Sequence, residues 1–398
     1  MKANIYTAKD GNNTLEINGK QIYSSYRPIE SSLSYIEKII DEEAKGYLLI
    51  GLGLGYHLYY LDILSKHKPI QVYCIYKEEL EWVNSSICKF TNRTNIKIVT
   101  DYKNLDLDSV EQVIIPKVWL QLMGEHHPLY EILEDIKIKQ DSFVKFKEIM
   151  AQNFQSNCLN VADLNLINIK NSIDNEKIAC LVSSGPSLNQ TVEWLKKRKN
   201  TFILCAGSAL RILKENHVRP DAVIVSDPQI FVQNQLENMD YSYPLFYLST
   251  ANNQAINKHR GNKTILLQKG YRKAEQLADE VNYPLIDVGG SVATVGFSLL
   301  ELLEFKKIVL FGQDFGFSEE MTHARGSTSG RAISKNENLR TVISNSGNNI
   351  FTTENLYSYL IWFNYRLLNT KTCVFNTAIN GAKLYNTQVI QLDMFLEI

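Results

Sequence analysis

The sequence predicts an α/β protein built from two Rossmann-like domains, each with a parallel sheet, joined by a helical segment. Its 398 residues exceed what one hydrophobic core usually serves. Short β-branched runs alternate with amphipathic stretches in two separate series. Between the two series, a long polar stretch has apolar residues three and four apart, which is typical of helices. We therefore place the first domain at residues 1–125, a helical connector at 126–175 and the second domain at 176–398.

Composition and charge limit the possible partners and location. Apolar residues make up 44% of the chain, charged residues 21%, and the formal net charge is -1. This balance offers no basic excess for nucleic acid or an anionic membrane surface. The N-terminal stretch lacks the apolar core of a signal peptide, and no run approaches the ~18 apolar residues of a membrane span. We expect a cytoplasmic protein with no nucleic-acid partner and no membrane span, while the oligomeric state stays open.

The cysteines predict no redox or metal chemistry. They are scattered without C-x-x-C pairing, and several lie inside apolar runs such as "IACLVSS". We interpret them as small buried hydrophobic residues. The six positions are Cys74, Cys88, Cys158, Cys180, Cys205 and Cys373.

The first domain contains a glycine turn between a strand and a helix. Its predicted strands are "GYLLIG", "IQVYCIY", "NIKIVT" and "EQVIIP". In "LIGLGLGYHLYYL", Gly51, Gly53 and Gly55 allow backbone N–H groups to face a phosphate or ribose, or allow a helix to pack closely with no ligand. The third glycine comes one place early for G-x-G-x-x-G, which favours the structural turn. Glu78 or Glu79, after the second strand, keeps a nucleotide or methyltransferase interpretation open.

Two histidine patterns have simpler interpretations than catalysis. His57, just after the glycine turn, is expected to pack on its helix. His126 and His127 are adjacent, and adjacent side chains point in different directions on regular structure. We therefore predict no metal site in this domain.

The second domain is predicted from a further series of strands, and polar residues follow most of them. The strands are "KIACLVSS", "TFILCAGS", "DAVIVSD", "PLFYLST", "KTILLQ" and "KKIVLFGQD". In an open parallel sheet, ligands bind at the carboxyl ends of the strands. Residues there also serve as ordinary helix caps, but several such ends together favour a polyhydroxylated or phosphorylated ligand. The candidate ligand-binding residues are Ser184, Gly185, Pro186, Ser187, Gly207, Ser208, Ser226, Gly290, Ser291, Gly312 and Gln313, with Asp227 and Asp314 as acidic neighbours.

Several of these segments together resemble one family. "SSGPSL", "CAGSALRILKENHVRPDAVIVSDP", "GGSVATVGFSLLELLEFKKIVLFGQDFGF" and "THARG" are similar to the central domain of the motility-associated factor (Maf) glycosyltransferases. "LLIGLGLGYHL" resembles the glycine turn of that family's N-terminal domain. The central domain is also similar to bacterial CMP-sialic-acid-dependent sialyltransferases, which have an N-P pair where this chain has Asp227 and Pro228. A further similarity is to archaeal 6-hydroxymethylpterin pyrophosphokinases.

The resemblance implies a catalytic second domain and a specific reaction. That reaction is transfer of a nonulosonic acid, of the pseudaminic or legionaminic type, from a CMP donor to serine or threonine hydroxyls of flagellin. Flagellin and the CMP-nonulosonate are the partners it implies. No cofactor is required on this interpretation; a divalent metal could use Asp227 and Asp314, but no cluster at ligand spacing predicts one.

The reaction gives the candidate residues roles. Departure of CMP leaves negative charge on phosphate, which the helix starts after Gly185 and Gly290 are suited to stabilise, with Ser187 and Ser291 as donors. The acceptor hydroxyl needs a base poised near neutral pH, for which His323 in the polar loop "EEMTHARGSTSG" is the candidate. We therefore assign catalysis to His323, Asp314 and Asp227. A solvated loop histidine is the alternative.

The remaining ligand contacts each have a competing structural interpretation. Thr322 is a candidate contact beside His323, and Asn376 either faces the donor or caps a turn. Arg325 and Arg331 either pair with the donor carboxylate or stay solvated. The aromatic stretch "NLYSYLIWFNYRLL" favours core packing over sugar stacking or protein docking.

Two other functions stay open from the sequence alone. A pterin-alcohol pyrophosphokinase would use ATP and magnesium, but this chain has no Walker-type motif and carries an N-terminal domain that those small enzymes lack. A non-catalytic flagellin-binding protein would keep the fold without transfer activity.

Overall fold

The computed structural model describes residues 2–85, 93–237, 242–317, 322–330, 332–333 and 339–398. It divides into two compact units, Met1–Lys145 and Phe146–Ile398. The predicted fold class is confirmed, because both units contain a parallel sheet with helical connections. In the part of the chain that is described, no helix is both long and apolar enough to span a membrane.

Unit 1 combines an N-terminal antiparallel sheet with a small parallel sheet. The antiparallel strands, which the sequence did not predict, are β1 Ala3–Thr7, β2 Asn13–Ile17 and β3 Lys20–Gln21. The parallel strands are β4 Tyr47–Ile50, β5 Ile70–Tyr73, β6 Ile96–Val99 and β7 Gln112–Ile114. The helices are α1 Pro28–Ile39, α2 Tyr56–Leu64, α3 Glu79–Trp82, α4 Lys117–Met123 and α5 Tyr130–Asn157, which continues into unit 2.

The order of the parallel strands in unit 1 contains a reversal. The order is β6-β5-β4-β7, so the chain moves from β4 to one side and returns to add β7 on the other. All residues of β4 and β5 are buried, as expected for strands covered on both faces. The reversal leaves a crevice at the carboxyl ends of β4 and β7, the place where open α/β sheets usually bind ligands.

Unit 2 is built on a larger parallel sheet. Its sheet strands are β8 Ile178–Val182, β9 Thr201–Ala206, β10 Ala222–Val225, β11 Leu245–Leu248, β12 Lys263–Gln268, β13 Leu285–Ile286, β14 Lys307–Phe311, β17 Cys373–Asn376 and β18 Gln388–Val389. Within the described ranges, the order is β13-β12-β11-β10-β9-β8-β14-β17-β18. The reversal in this sheet therefore falls between β8 and β14.

Helices and one hairpin complete unit 2. The helices are α6 Leu166–Ser172, α7 Leu188–Thr191, α8 Trp194–Lys197, α9 Leu210–Glu215, α10 Val232–Leu236, α11 Asn253–Lys258, α12 Arg272–Val281, α13 Val292–Leu302, α14 Glu354–Asn369 and α15 Leu392–Glu397. The hairpin of β15 Arg340–Ile343 and β16 Asn349–Thr352 was not predicted. Helix α13 is buried along most of its length, and a Cβ at Gly296 would lie 2.7 Å from the Leu181 side chain. This close approach packs α13 directly on the central strands.

The burial of the cysteines follows the prediction only in part. Cys74, Cys180 and Cys205 are buried and Cys158 is half-buried, all with free thiols. The prediction is wrong for Cys373, which is exposed because it begins β17 at the end of the strand away from the buried centre. Cys88 lies outside the described residues.

Candidate functional site

The candidate site is the carboxyl edge of the unit 2 sheet at the β8–β14 reversal. Val182 and Phe311 pair in register, so the two strands end level with one another. The Ser183 amide donates to the Phe311 carbonyl at 2.9 Å, and the Gly185 amide donates to the Gly312 carbonyl at 2.9 Å. The side-chain amide of Gln313 also donates, through Nε2, to Ser183 Oγ. The fold thus brings the segment 184–187 directly beside the segment 312–314.

Glycine is required on both sides of this junction. A Cβ at Gly185 would lie 2.2 Å from Asp314 Oδ2 and 2.5 Å from the Gly312 carbonyl oxygen. Gly312 has a φ of 66°, and its Cβ would lie 2.1 Å from the Ser183 carbonyl oxygen. At each glycine at least one of these neighbours is a backbone carbonyl oxygen, which cannot move away cheaply. The glycines therefore allow two backbone segments to approach more closely than any side chain permits.

Asp314 is a buried carboxyl group that bonds to the turn after β8. It is 6% exposed, and it accepts hydrogen bonds from the Ser187 amide at 3.1 Å and the Ser187 hydroxyl at 2.8 Å. Burial raises its pKa to about 7, against the lowering effect of the Ser187 hydrogen bonds. The helix that follows, α7, has only four residues. The Ser187 donors, predicted to face a phosphate, are bonded to Asp314 in this structure.

A loop of residues 322–330 lies over the ends of β8 and β9. The Ala324 amide donates to the Ser184 carbonyl at 2.8 Å, and the Thr328 amide approaches the Ser208 carbonyl at 3.4 Å. The hydroxyls of Ser184 and Ser208 share a hydrogen bond of 2.9 Å beneath it. This loop is therefore fixed to the two strand ends where the sequence places its candidate ligand residues.

His323 is held within this loop by its neighbour Thr322. The Thr322 hydroxyl lies 2.7 Å from His323 Nδ1, and Thr322 is buried while His323 is half-buried. This hydrogen bond orients the imidazole, with the direction of donation set by the tautomer. Arg325 is exposed, and its backbone amide donates to Asn189 Oδ1 at 3.1 Å. Arg331 lies outside the described residues.

Asp227 lies at the same carboxyl edge of the sheet, where it follows Ser226 after the end of β10. Its Oδ1 accepts the Gln229 amide at 2.8 Å, and burial raises its pKa above the ordinary range. Burial, together with the Asp227 charge, raises the pKa of Tyr359 on α14 to about 12. A Cβ at Gly290 would lie 3.0 Å from the Tyr359 ring. Tyr359 therefore lies beside the start of α13 and within electrostatic reach of Asp227.

Ser291 caps helix α13. Its hydroxyl accepts the Thr294 amide at 3.3 Å, and Thr294 Oγ1 accepts the Ser291 amide in return. This reciprocal capping box is the structural interpretation that the sequence left open for such residues. Thr294 Oγ1 also accepts the Gly289 amide at 2.9 Å, which holds the Gly289–Gly290 turn in place.

Asn376 and Gly207 complete the predicted edge. Asn376 is fully buried at the end of β17, where Oδ1 accepts the Ala378 amide at 3.0 Å and so closes a turn. Its Nδ2 is buried with no hydrogen-bond partner, which is uncommon for a polar atom in a folded protein. At the end of β9, a Cβ at Gly207 would lie 2.4 Å from Gln235 Oε1.

An amide network that was not predicted from the sequence lies behind this edge. Asn153 and Asn157, four residues apart on α5, donate to backbone carbonyls of the loops after β10 and β11. Asn153 Nδ2 bonds to the Pro228 and Thr250 carbonyls, and Asn157 Nδ2 bonds to the Ser249 and Ala251 carbonyls. The i, i+4 spacing of two asparagines in an otherwise amphipathic helix was the available signal. These side chains fix the loops that carry Asp227.

The glycine turn of unit 1 has its amides bonded to a carboxylate from the same chain. Glu79 is fully buried and accepts the Leu52 amide at 2.5 Å, the Gly53 amide at 3.0 Å and the Tyr76 amide at 2.9 Å. Burial raises its pKa to about 7. A Cβ at Gly51 would lie 2.1 Å from the Trp119 ring, so an indole fills the space beside the turn. The amides that a phosphate would contact are thus already bonded.

The residues described here form no metal cluster. Among them, no group of three or more His, Cys, Asp or Glu side chains is placed to hold a metal ion.

Comparison with solved structures gives a match over the whole chain. A Maf glycosyltransferase from Magnetospirillum magneticum AMB-1 aligns with 99% of this chain and 71% of its own, with a TM-score of 0.50 and 13% sequence identity. The chain shares the fold of a Maf glycosyltransferase. The resemblance inferred from the sequence motifs is thereby confirmed at the level of the fold.

Other comparisons are narrower. Residues 149–320 match the sequence model of the 6-hydroxymethylpterin diphosphokinase MptE-like family. This segment contains β8 to β14 and most of the edge described above. A dipicolinate synthase chain from Bacillus halodurans aligns with 66% of this chain and 97% of its own at 13% identity, with a TM-score of 0.17 that is too low to compare folds. The sequence matches no curated protein.

The buried Asp314 carboxyl predicts a pH dependence of stability. Its pKa in the folded protein, about 7, lies above the value of about 3.9 for an unfolded chain, so the folded state binds the extra proton between these limits. Stability from this group is fully present below pH 4 and is lost as the pH rises through 7. We expect Asp314→Asn to remove this fall, worth about 4 kcal/mol, in unfolding measured by calorimetry from pH 4 to 8.

The exposed Asp393 supplies the control for that experiment. Asp393→Asn should retain the wild-type slope because it removes a carboxylate that the fold does not bury. An Asp314→Asn protein whose stability falls as steeply as the wild type would show that Asp314 is ionised throughout this range.

Proposed function

We propose that this protein is a cytoplasmic glycosyltransferase that moves a nonulosonic acid from a CMP donor to serine or threonine hydroxyls of flagellin. The observation that carries the proposal is the loop 322–330, which is hydrogen-bonded across the ends of β8 and β9 with His323 beside Thr322. The shared fold with a Maf glycosyltransferase supports the same class of reaction. The donor and acceptor come from the sequence resemblance.

The proposed reaction uses the chain's own hydrogen-bond donors. As the bond between the sugar and CMP breaks, an oxocarbenium-like centre forms and the phosphate gains charge. The Ser187 amide and hydroxyl, and the buried Nδ2 of Asn376, are donors suited to that charge. The phosphate reaches Ser187 by displacing the Asp314 carboxylate, which is easier when Asp314 holds a proton. His323 takes the proton from the acceptor hydroxyl as the new bond to the sugar forms.

We propose that transfer needs no cofactor, since these donors stabilise the departing phosphate. Asp227 remains near the donor, where its charge and that of the oxocarbenium-like centre have opposite signs. A divalent metal would bind the carboxylate oxygens of Asp227 and Asp314. Transfer measured with and without EDTA therefore tests this part of the proposal. Activity lost in EDTA and restored by magnesium would overturn it.

Mass spectrometry of flagellin tests the function directly. Purified protein is incubated with flagellin and CMP-pseudaminic acid or CMP-legionaminic acid, and the intact flagellin is then weighed. We expect mass increments of one nonulosonic acid residue, with one CMP released for each. Neither a mass increase nor CMP release with any CMP-nonulosonate would overturn the proposal.

A second function is favoured by one observation, the MptE-like match over residues 149–320. In this case ATP would bind at the carboxyl edge of the unit 2 sheet, and its terminal diphosphate would be transferred to a pterin alcohol with release of AMP. Incubation with ATP, magnesium and 6-hydroxymethylpterin separates the two enzymes, because only the pyrophosphokinase releases AMP. Flagellin binding without release of CMP or AMP would instead indicate a non-catalytic binding protein.

A further inference from the structure

Unit 1 contains a cavity that the proposed transfer reaction does not use. Its volume is about 350 Å³, at the small end of the range for small-molecule pockets. The lining comes from the segment after β3, from α1, from the start of α2 and from the start of α4. The lining includes Tyr23, Tyr35, His57, Pro116 and Lys117.

The cavity lies at the strand-order reversal of the unit 1 sheet. His57 follows the turn that leaves β4, and Pro116 and Lys117 follow β7. Strands β4 and β7 are neighbours, with Leu49 paired to Ile114, and the chain reaches β7 only after it crosses back from β6 at the opposite edge of the sheet. This crevice is the usual ligand position in an open α/β sheet. Topology and cavity therefore indicate the same place independently.

Two residues that line this cavity each carry a buried polar atom with no hydrogen-bond partner. His57 is 6% exposed, and its Nδ1 is buried and unpaired. The Tyr35 hydroxyl is likewise buried and unpaired. Buried polar groups in folded proteins nearly always have partners, so two in one wall require an explanation. A bound molecule that supplies hydrogen-bonding atoms provides one.

Aromatic rings and the charge balance restrict the chemistry of that molecule. The His57 ring lies close to two tyrosine rings, with centroid separations of 5.1 Å to Tyr23 and 5.3 Å to Tyr35. Burial lowers the pKa of His57 to about 4, so its imidazole is neutral at physiological pH. Among the described residues that line the cavity, Lys117 alone carries a charge. These walls favour a flat, uncharged ring.

A phosphate group has no evident place beside this cavity. The amides of Leu52 and Gly53, which a phosphate would use in a glycine turn, are bonded to Glu79. The Tyr23 hydroxyl accepts the Leu54 amide at 3.0 Å and donates to the Leu52 carbonyl at 3.2 Å. The turn is therefore closed toward anions on the side where Tyr23 reaches it.

We propose that unit 1 binds a small, uncharged heteroaromatic ring of the nucleobase type in this cavity. The ring stacks on the aromatic wall, and its polar edge satisfies His57 and Tyr35. The site is separate from the transfer edge of unit 2, and its test does not depend on transfer activity.

Binding of free bases to the full chain tests this site. Adenine and cytosine are titrated and followed by saturation-transfer NMR, with inositol as a polar, non-aromatic control. We expect saturable binding of at least one base and none of inositol. His57→Phe should weaken that binding at least tenfold, and Tyr35→Phe at least threefold. AMP should bind through this cavity no more tightly than adenine, because Glu79 occupies the glycine-turn amides.

Matched variants make each outcome decisive. Tyr59 lies on the same helix as His57 but outside the cavity, so Tyr59→Phe should leave base binding unchanged. Tyr35→Phe removes a hydroxyl that makes no hydrogen bond and is expected to fold, which covers the case in which His57→Phe does not. No saturable binding by either base would overturn the proposal. So would equal binding of inositol, or base binding unchanged in the folded cavity variants.

Discussion

Replacing His323 by asparagine is expected to lower the rate of sugar transfer by a factor of about 10² to 10⁴, the usual contribution of a general base. Asparagine keeps a polar side chain beside Thr322 but cannot take a proton from the acceptor hydroxyl. Binding of CMP should persist, because the proposed phosphate donors, Ser187 and Asn376, lie on other segments of the edge. Transfer is measured by the mass of flagellin and CMP binding by calorimetry.

His217→Asn is the matched control, because His217 is an exposed histidine of the same unit. It has a φ of 55°, a conformation that asparagine also adopts, so the replacement preserves the backbone there. Full transfer is expected for this variant. Wild-type turnover by His323→Asn would remove His323 as the base. Loss of CMP binding together with loss of transfer would indicate a collapsed site.

Gly185→Ala is expected to cost about 3 kcal/mol of stability or more and to reduce transfer at least 100-fold. The added methyl group would meet Asp314 Oδ2 at 2.2 Å and the Gly312 carbonyl oxygen at 2.5 Å. To relieve this contact, the ends of β8 and β14 must separate, which displaces both sides of the candidate site. Thermal unfolding and the flagellin assay measure the two effects.

Gly330→Ala provides the comparison for stability. Its Cβ would meet the nearest atom, His323 Cβ, at 3.5 Å, an ordinary van der Waals distance. We expect its stability to stay within about 0.5 kcal/mol of the wild type. Equal stability of the two glycine variants would show that the β8–β14 junction yields easily and is not a rigid support for the site.

The sequence was sufficient to predict the parallel sheets and the polar strand ends. Strands such as β8 are buried on both faces and read as continuous apolar runs, which end abruptly at Ser183 or Gly312. The contact between Ser187 and Asp314 was harder to predict from the sequence, because 127 residues separate the two in the chain. Only the register of β8 with β14 brings them together, and no local pattern encodes that register.

Elements with weak or short patterns were also missed. Strand β3 has two residues, and β15 alternates half-buried and exposed positions with none buried. Neither segment has the alternation of fully buried and exposed positions that identifies a strand from sequence. The amides of Asn153 and Asn157 were missed for a different reason. Their partners are backbone carbonyls of distant loops, and any residue supplies a carbonyl.

In the glycine turn of unit 1, some features were predicted from the sequence and others were not. The strand, the turn, the helix and the acidic residue after the next strand were all read from the sequence. The glycine spacing also favoured a structural turn over a ligand site, but it did not predict that Glu79 would accept hydrogen bonds from the turn amides. The sequence contains an acidic residue at that position whether it bonds to a ribose or to the turn amides, so the sequence does not distinguish the two.

Because of the Glu79 contact, the glycine turn of unit 1 does not need a bound nucleotide for its stability. A turn that needs a bound nucleotide gains stability only as the concentration of that nucleotide exceeds its dissociation constant. Here the group that bonds to the turn amides is the Glu79 carboxyl of the same chain, so dilution cannot remove it. This turn should therefore keep its shape through starvation or dialysis, and hydrogen exchange should show protected Leu52 and Gly53 amides in the absence of any nucleotide.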